Sequence, residues 1–552
     1  MPADEFDYVI AGGGSAGCVL ASRLSEDPEA RVLLAEAGGR DWHPVIHIPL
    51  GVGRIRQAEM FDWGYVSEPQ ADLGGRRIEL KRGKVLGGSS SINFMAHNRG
   101  SRSDYDRWVR LGASQWSYDR LLPYFKRLET WRGGTAAHRG TRGPVAVCYT
   151  CRSDPLGWAV LEAAKAAGYS SSEDLNAAEP NGFGLAQSAI DHGRRASAAN
   201  AYLRPNRGRR NLHVRMRTLA TKVLFQHRTA VGLQVLQRGQ PRTVRARREV
   251  ILCGGAFNSP QLLMLSGVGN ADALRTLGIA PLQHLPGVGA NLQDHLSIPL
   301  THRRVGKEGP LHHMLRADRL IVALAKAYFA GKGPATVLPS GVNAVLRTAP
   351  GLDAPDIQIM FGAGALEARP WLPGLNDWRD LFYLRPVGSH PRSRGRVWLA
   401  SANPRDNPRI DPGYLSNADD LRVLRRGFRI ARDVVRQKPL DPFRGEELSP
   451  GPRCQSDADV DAHIRATATT VQHASCTCRA GTDEFAVVDA ELRVHGLDRL
   501  RVVDASVMPE IVSCNIHAIV LAIAEWAADV IRGRNVLPSA TEAEAPASAS
   551  IR

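Results

Sequence analysis

The sequence predicts an α/β protein, α+β overall, and three observations support that prediction. A glycine-rich stretch at 12–17 follows an apolar run only a few residues from the N-terminus. A second apolar run, at 248–253, is again followed by glycines, and a third, at 500–504, precedes the apolar stretch 518–531. Because such units are typical of a strand followed by a helix, we expect one parallel sheet built from distant segments of the chain.

The glycines of the first unit stand at positions where each has its own physical reason. Gly12 allows a tight turn after the strand Tyr8–Ala11, Gly14 lets the backbone approach a pyrophosphate, and Gly17 allows a helix to pack closely on the strand. A helix that opens here directs its N-terminal amides at phosphate. The predicted phosphate-binding residues are therefore Gly12, Gly14, Ser15, Ala16 and Gly17.

The next apolar run, 31–35, is followed by Glu36, about twenty residues beyond the glycines, where Rossmann-like domains place a carboxylate on the ribose hydroxyls. The complete unit predicts a Rossmann-like domain with a nucleotide cofactor. By itself it leaves FAD and NAD open, although a position at the N-terminus of a long chain favours FAD.

The later units extend this domain. We interpret 248–253 as a strand, 254–260 as a turn and 261–265 as the start of an apolar helix. Toward the C-terminus, 500–504 is a short strand and 518–531 a buried helix. The predicted FAD-binding domain is discontinuous and comprises 1–150, 196–300 and 471–535.

The segments that lie between these units differ in residue pattern from the cofactor domain. They contain Pro-rich turns between short strand-like runs, which predicts a mixed-sheet substrate-binding domain formed by 151–195 and 301–470. The tail 536–552 is rich in Ala, Ser, Glu and Pro, and we expect it to be disordered because it cannot bury enough apolar surface.

Composition narrows the class of function. The chain has 552 residues and a formal net charge of +16, but its basic residues are scattered without interleaved aromatics, which argues against nucleic acid as a partner. A basic surface is also compatible with peripheral contact to the inner membrane. No run approaches the roughly 20 apolar residues of a membrane span, and the N-terminus is acidic rather than leader-like.

Eight cysteines in a chain of this length predict no disulfide framework and a reducing, cytoplasmic location. Cys148 and Cys151 have the spacing of a redox or metal-binding pair. Without a second such pair, we favour two unlinked thiols and predict no metal site.

Four longer segments are distributed along almost the whole chain: Gly83–Asn93, Gly255–Gly269, Leu285–His295 and Val488–Pro509. In this order they resemble the glucose-methanol-choline (GMC) family of FAD-dependent oxidoreductases, in its alcohol and choline dehydrogenase-like branch. The resemblance implies bound FAD. It also implies that FAD is noncovalent, because Ile92 stands where some relatives carry a His that bonds to the flavin.

The resemblance assigns the parts of FAD to residues of this chain. Its AMP half would lie on Gly12, Gly14, Gly17 and Glu36, with Val223 at the adenine. The flavin side would be lined by Gly87, Gly88 and Asn93, and Asp504 with Ala505 would lie near the pyrophosphate and the flavin edge.

In the family, a His from the segment here numbered 469–481 and an Asn or His from 512–517 face the reactive ring, which implies His473 and Asn515. Alcohol oxidation removes a hydroxyl proton, and a neutral imidazole can accept it. An amide cannot accept that proton, but it can stabilise the developing alkoxide. We therefore expect His473 to be the base and Asn515 its orienting partner, with His517 as an alternative base.

The predicted function is oxidation of a primary alcohol to its aldehyde by hydride transfer to FAD. We expect a dehydrogenase that passes electrons to a quinone or other acceptor rather than an oxidase that reduces O₂. Choline is disfavoured because relatives specialised for it carry an acidic residue that we align near Gly341. The alternatives are a non-redox lyase of the same fold, similar to hydroxynitrile lyases, and a light-driven decarboxylase.

Overall fold

The fold is described from a computed structural model, in residues 4–134, 137–150, 153–306, 309–364, 369–375, 378 and 380–541. Most of the predicted disordered tail and Cys151 of the predicted cysteine pair lie outside these residues. In the described part, Cys148 is a free thiol at the end of a strand. No helix among the described residues is long and apolar enough to cross a membrane.

The strands of the first half of the chain are β1 Glu5–Ala11, β2 Val32–Glu36, β3 Glu129–Trp131, β4 Val145–Tyr149, β5 Gly182–Leu185, β6 Gln187–Ser188, β7 Ile190–Asp191, β8 Arg194–Arg195, β9 Leu212–Met216, β10 Thr218–Gln226, β11 Thr229–Gln237 and β12 Gln240–Leu252. Those of the second half are β13 Val268–Gly269, β14 Gln283–His284, β15 Leu296–Ser297, β16 Leu300–Arg304, β17 Val342–Leu346, β18 Ile357–Gly362, β19 Leu381–Gly388, β20 Arg396–Trp398, β21 Arg409–Asp411, β22 Arg444–Ser449, β23 Thr469–Thr470 and β24 Leu500–Val502.

The α-helices are α1 Ser15–Leu24, α2 Pro44–His47, α3 Val52–Gln57, α4 Arg102–Arg110, α5 Tyr118–Leu128, α6 Pro155–Ala166, α7 Gly255–Leu265, α8 Ala271–Thr276, α9 Pro310–Met314, α10 Ala317–Ala330, α11 Ala418–Arg436, α12 Asp457–Thr467 and α13 His517–Ile531.

The first sheet has the order β10-β11-β12-β1-β2-β9, with β24 paired to the end of β12. Strand β1 runs parallel to both β2 and β12, and β24 is parallel to β12. Every residue of β2 is buried, as parallel strands covered on both faces require, and α1 packs against α13 on one of those faces. The prediction that distant segments build one sheet is confirmed.

The predicted turn at 254–260 is wrong, because α7 already begins at Gly255 and contains Pro260. The helix start is stabilised from far along the chain: the Asp504 carboxylate accepts a hydrogen bond from the Gly255 amide at 2.8 Å. Pro260 has no N–H and cannot donate the usual helical hydrogen bond to the Ala256 carbonyl. That carbonyl instead accepts a hydrogen bond from the Thr477 hydroxyl at 2.7 Å.

The second sheet has the order β22-β16-β19-β18-β17-β5, with its neighbours antiparallel. Its side chains alternate between two faces. One face packs apolar residues such as Ile357, Ile359 and Leu384 into a core beneath α11. The opposite face is turned toward the first sheet and lines the cavity described next. The domain boundaries themselves stay a prediction.

Candidate functional site

A cavity of about 860 Å³ lies between the first sheet and the second. Most of the predicted site residues line it: Gly12, Gly14, Ser15, Ala16, Glu36, Gly88, Asn93, His473, Asp504, Ala505, Asn515 and His517. The structure therefore brings residues from the two ends of the chain into one site. Gly17, Gly87 and Val223 are not among the lining residues.

At one end of the cavity the glycine turn brings backbones into contact. Gly12 has φ +109°, and a Cβ on it would lie 2.4 Å from the Cys253 carbonyl oxygen. A Cβ on Gly17 would lie 2.0 Å from the Gly12 carbonyl oxygen, so this glycine allows the close helix packing predicted for it. A Cβ on Gly88 would lie 2.7 Å from the Gly14 Cα. Larger residues would fill the cradle that a dinucleotide needs.

Helix α1 opens at the cavity, where Ser15 and Ala16 line the wall. The first amides of a helix have no partner within it, which makes this end suited to phosphate. Glu36 lies at the end of β2, and its carboxylate accepts hydrogen bonds from the amides of Gly13 at 2.8 Å and Gly38 at 2.7 Å. This geometry holds the carboxylate at the edge of the cavity, where it can reach a ribose.

Burial raises the pKa of Glu36 to about 7, although the two amides oppose the shift. A carboxyl group whose pKa is higher in the folded state stabilises the fold at low pH and loses that contribution as pH rises toward 7. In flavin-free protein we expect the free energy of unfolding to fall by about 3 kcal/mol through this group between about pH 4 and about pH 8.

Urea titrations of flavin-free wild type and Glu36→Gln measure this contribution. The variant cannot titrate at this position, so its unfolding free energy should depend less on pH by that amount. Equal pH dependence in the two proteins would contradict the assignment.

The segment 87–93, which begins with Gly87 and Gly88, is held in place by buried polar contacts. Gly87 has φ +88°, and its amide donates to the Gly13 carbonyl at 2.8 Å. The side-chain oxygen of Asn93 accepts from the Arg195 guanidinium at 2.9 Å, and Arg195 also donates to the Asn93 carbonyl. Burial lowers the pKa of Arg195 to about 9. Gly87 therefore acts by shaping the turn, while Asn93 lines the cavity with its amide oxygen already engaged.

Val223 lies away from the cavity, buried in the core of the first sheet, with its amide donating to the Ser266 hydroxyl at 2.8 Å. The residues of β10 that line the cavity are Thr218, Leu219 and Ala220. A register shift between Ala220 and Lys222 changes which side chains face the cavity beyond that point. The structure therefore does not bring Val223 to the cavity wall, and the adenine position stays a prediction.

At the other end of the cavity, His473 and Asn515 lie in direct contact. The Asn515 side-chain amide donates to Nε2 of His473 at 3.1 Å. The backbone of His473 is fixed by Asp294, whose carboxylate accepts from its amide at 2.7 Å. The oxygen of the Asn515 side chain accepts from Asn98 at 2.6 Å. In the pair expected from the sequence, His473 is therefore held by Asp294 and Asn515 is held by Asn98.

His295 determines which nitrogen of His473 carries the proton. Nε2 of His295 lies 2.9 Å from the Ser389 carbonyl oxygen, which can only accept, so this nitrogen is protonated. Burial lowers the pKa of His295, so the ring is neutral and its Nδ1 is an acceptor. Nδ1 of His473, 2.9 Å away, must then donate to it. Nε2 of His473 is therefore the unprotonated nitrogen, and its lone pair accepts the hydrogen bond from Asn515 at the cavity wall.

The electrostatics support the same protonation state. Burial, together with the neighbouring His295 and Arg82, lowers the pKa of His473 well below its usual value. His473 is neutral at neutral pH, as a group that accepts a proton must be.

His517 lines the same cavity, but neither of its ring nitrogens has a hydrogen-bond partner among the described residues. Burial lowers its pKa to about 3, with smaller effects from His97 and Arg195. It therefore lacks the orienting contacts that His473 receives from its neighbours.

Sequence reasoning missed His295, Asn98 and Gln358. The side-chain amide of Gln358 lies 3.5 Å from the Asn515 side-chain oxygen. His295 ends the family segment Leu285–His295, and that position could have marked it as a site residue. Asn98 and Gln358 carried no such signal, because their contacts with Asn515 join residues 417 and 157 positions apart.

These residues fit FAD. The glycine cradle, the open end of α1 and Glu36 suit its dinucleotide half, and Asp504 fixes the start of α7 at the middle of the cavity. His473 and Asn515 lie at the end where the reactive ring would stand. Ile92 lines the wall between these regions and offers no atom for a covalent bond.

Comparison with known proteins agrees with this geometry. Models of the GMC oxidoreductase family match residues 6–297 and 391–524. The chain is 43% identical to human mitochondrial choline dehydrogenase, over 97% of this chain and 91% of that protein. It is 42% identical to an oxygen-dependent choline dehydrogenase of Pseudomonas fluorescens, over 97% and 95%.

Solved structures show the same fold. Pyridoxine 4-oxidase from Mesorbium loti has a TM-score of 0.85 and 34% identity, and the match covers 96% of this chain and 100% of that protein. Formate oxidase from Aspergillus oryzae has a TM-score of 0.90 and 27% identity, over 97% and 99%.

Proposed function

The chain belongs to the GMC oxidoreductase family and is an FAD-dependent oxidoreductase acting on CH–OH donors, and from that premise we propose that it oxidises a primary alcohol to its aldehyde with His473 as the base. The observation that carries this proposal is the lone pair of His473 Nε2. It faces the cavity because His295 occupies the other ring nitrogen. FAD, when bound, supplies the acceptor for the hydride that leaves the substrate carbon.

The substrate hydroxyl would replace the direct hydrogen bond between the side chains of His473 and Asn515, which must move apart to admit it. It would donate its hydrogen to Nε2 of His473 and accept a hydrogen bond from the Asn515 amide. As the carbon loses a hydride, the hydroxyl proton passes to His473, so that an alcohol minus one hydride and one proton becomes an aldehyde. Asn515 stabilises the partial negative charge on the oxygen during this step.

The surroundings prepare both groups for this step before substrate arrives. The Asp294 carboxylate accepts hydrogen bonds from the backbone amides of His295 and His473, which holds the two rings in register. Asn98 fixes the oxygen of Asn515 so that its amide hydrogens point at the reacting atoms. Such preorganisation lowers the cost of ordering the site during the reaction.

We propose a quinone or related carrier as the electron acceptor, in preference to O₂. Anaerobic turnover of a primary alcohol with a soluble quinone, followed by detection of the aldehyde, tests both parts of the proposal. We expect aldehyde to form at the rate of quinone reduction, and hydrogen peroxide in air to account for a minor share of the electrons. Peroxide formed in equal amount to aldehyde, with no gain from quinone, would identify an oxidase instead.

A lyase of the hydroxynitrile type could also use His473 as its base, but neither a lyase nor a light-driven decarboxylase leaves reduced flavin behind. Lasting flavin reduction by an alcohol therefore separates them from the proposed function. A cytoplasmic location and contact with a membrane surface stay predictions.

A further inference from the structure

The described residues that line the cavity carry both signs of charge, and the lining cations are Arg54, Arg56, Lys81, Arg82, Lys84, Arg385 and Arg405. Among the described lining residues the carboxylates are Glu36, Asp62, Asp406 and Asp504. Each has its own partners: Asp62 accepts from the Arg82 amide at 2.9 Å, and Asp406 accepts from Asn403 at 3.0 Å. None of the four belongs to the second sheet.

Among the lining cations, Arg385 is the one that stands in a strand of the second sheet. In the neighbouring strand, Gln358 donates to the Asn515 side-chain oxygen at 3.5 Å, and Met360, two residues along β18, lines the cavity. Arg385 of β19 is paired directly opposite Met360 and also lines the cavity. It is therefore a diagonal neighbour of Gln358, with Cα atoms roughly 7–8 Å apart.

Arg385 is incompletely satisfied where it stands. Its Nε is buried and has no hydrogen-bond partner among the described residues. Its guanidinium carbon lies 5.2 Å from the centre of the Tyr383 ring, whose own pKa is raised by burial, so the ring stays neutral. Arg385 as a whole is half-buried, and a carboxylate that fits the planar donor edge of its guanidinium would supply the missing acceptor.

We infer that the substrate is an alcohol that also carries a carboxylate, which binds Arg385 while the hydroxyl lies between His473 and Asn515. The inference rests on the proposed function and names the substrate class for that site. Para-hydroxymethylbenzoate, which carries a primary alcohol and a carboxylate at opposite ends of one ring, is a suitable probe of this class. A quaternary ammonium group at the same position would face a like charge, so choline is a poor substrate although relatives are named for it.

The test compares the holoenzyme's kcat/KM for para-hydroxymethylbenzoate, its neutral analogue para-hydroxymethylbenzamide, benzyl alcohol and choline, with one quinone acceptor. We expect the benzoate to exceed the benzamide by at least about tenfold in wild type, since hydrogen bonds to a charged partner are the strong ones. Arg385→Met should reduce that ratio to about one, mainly through KM, and Arg385→Lys should restore part of it.

Arg303→Met is the matched control, because Arg303 belongs to the same sheet, in β16, and does not line the cavity. Its ratio should equal that of wild type. A wild-type ratio of one or below, a preference for choline, or a ratio that Arg385→Met leaves unchanged would overturn the inference while the proposed function stands. If no alcohol reduces the flavin, the proposed function fails with it.

Discussion

Replacing His473 by Ala should lower kcat for alcohol oxidation by roughly a hundredfold to ten-thousandfold, the range in which a general base contributes. The variant should still bind FAD, because no contact of His473 described here reaches the glycine cradle. The reason for the loss is specific: Nε2 of His473 has a lone pair at the cavity, and Asn515, which remains, has only amide hydrogens to offer there. Stopped-flow measurement of flavin reduction under anaerobic conditions reports this step directly.

His517→Ala is the matched control, because His517 is a second imidazole on the same cavity wall. Its ring lacks the orienting hydrogen bonds of His473, so we expect its removal to change the reduction rate by less than about tenfold. If His517→Ala were the more damaging change, the base would be His517, the alternative that the sequence left open.

The pH dependence gives a further check on His473. Its pKa is depressed well below 6.5, so the neutral form persists as pH falls through that value. The rate of flavin reduction should stay flat from neutral pH downward and decline only well below 6.5. A decline centred at the ordinary pKa of a histidine would mean that the base is more exposed than this geometry describes.

Changing Gly12 to Ala should abolish FAD binding. Gly12 has φ +109°, which side chains rarely adopt, and the added methyl group would lie 2.4 Å from the Cys253 carbonyl oxygen, closer than any real contact. The turn can relieve this only by moving β1 away from the start of α7, and that opens the cradle. The ratio of flavin to protein absorbance in the purified variant measures the effect.

Gly208→Ala makes the same chemical change at a glycine with open space around it and should retain full flavin content. Circular dichroism distinguishes loss of the cofactor from loss of the fold. If folded Gly12→Ala kept its flavin, the close approach of these backbones would not be what the cofactor site requires.

Much of this site could be predicted from the sequence because the determinants are local. The strand, the glycine turn, the helix that opens at Ser15 and the acid at Glu36 lie within one short stretch, and each has a local physical reason. The contact of His473 with Asn515 came from the family resemblance, since no local pattern marks either residue.

The parts that could not be predicted depend on contacts between distant segments. Helix α7 starts early because Asp504 binds the Gly255 amide, a partner nearly half the chain away. Val223 is buried in the core rather than lining the cavity, and β10 has a register shift between Ala220 and Lys222 that the sequence does not signal. Nothing in the sequence distinguishes Arg385 from the many other arginines. Only the pairing of β18 with β19 places it opposite Met360.

The most direct test of the central claim is the visible spectrum of the purified holoenzyme before and after anaerobic addition of primary alcohols. We expect the oxidised flavin band of the wild-type protein to bleach, and that of His473→Ala to bleach far more slowly. Aldehyde should form in an amount equal to the reduced flavin. A bound flavin that no alcohol bleaches, carboxylate-bearing alcohols included, would contradict alcohol oxidation and favour a non-redox reaction on the same fold.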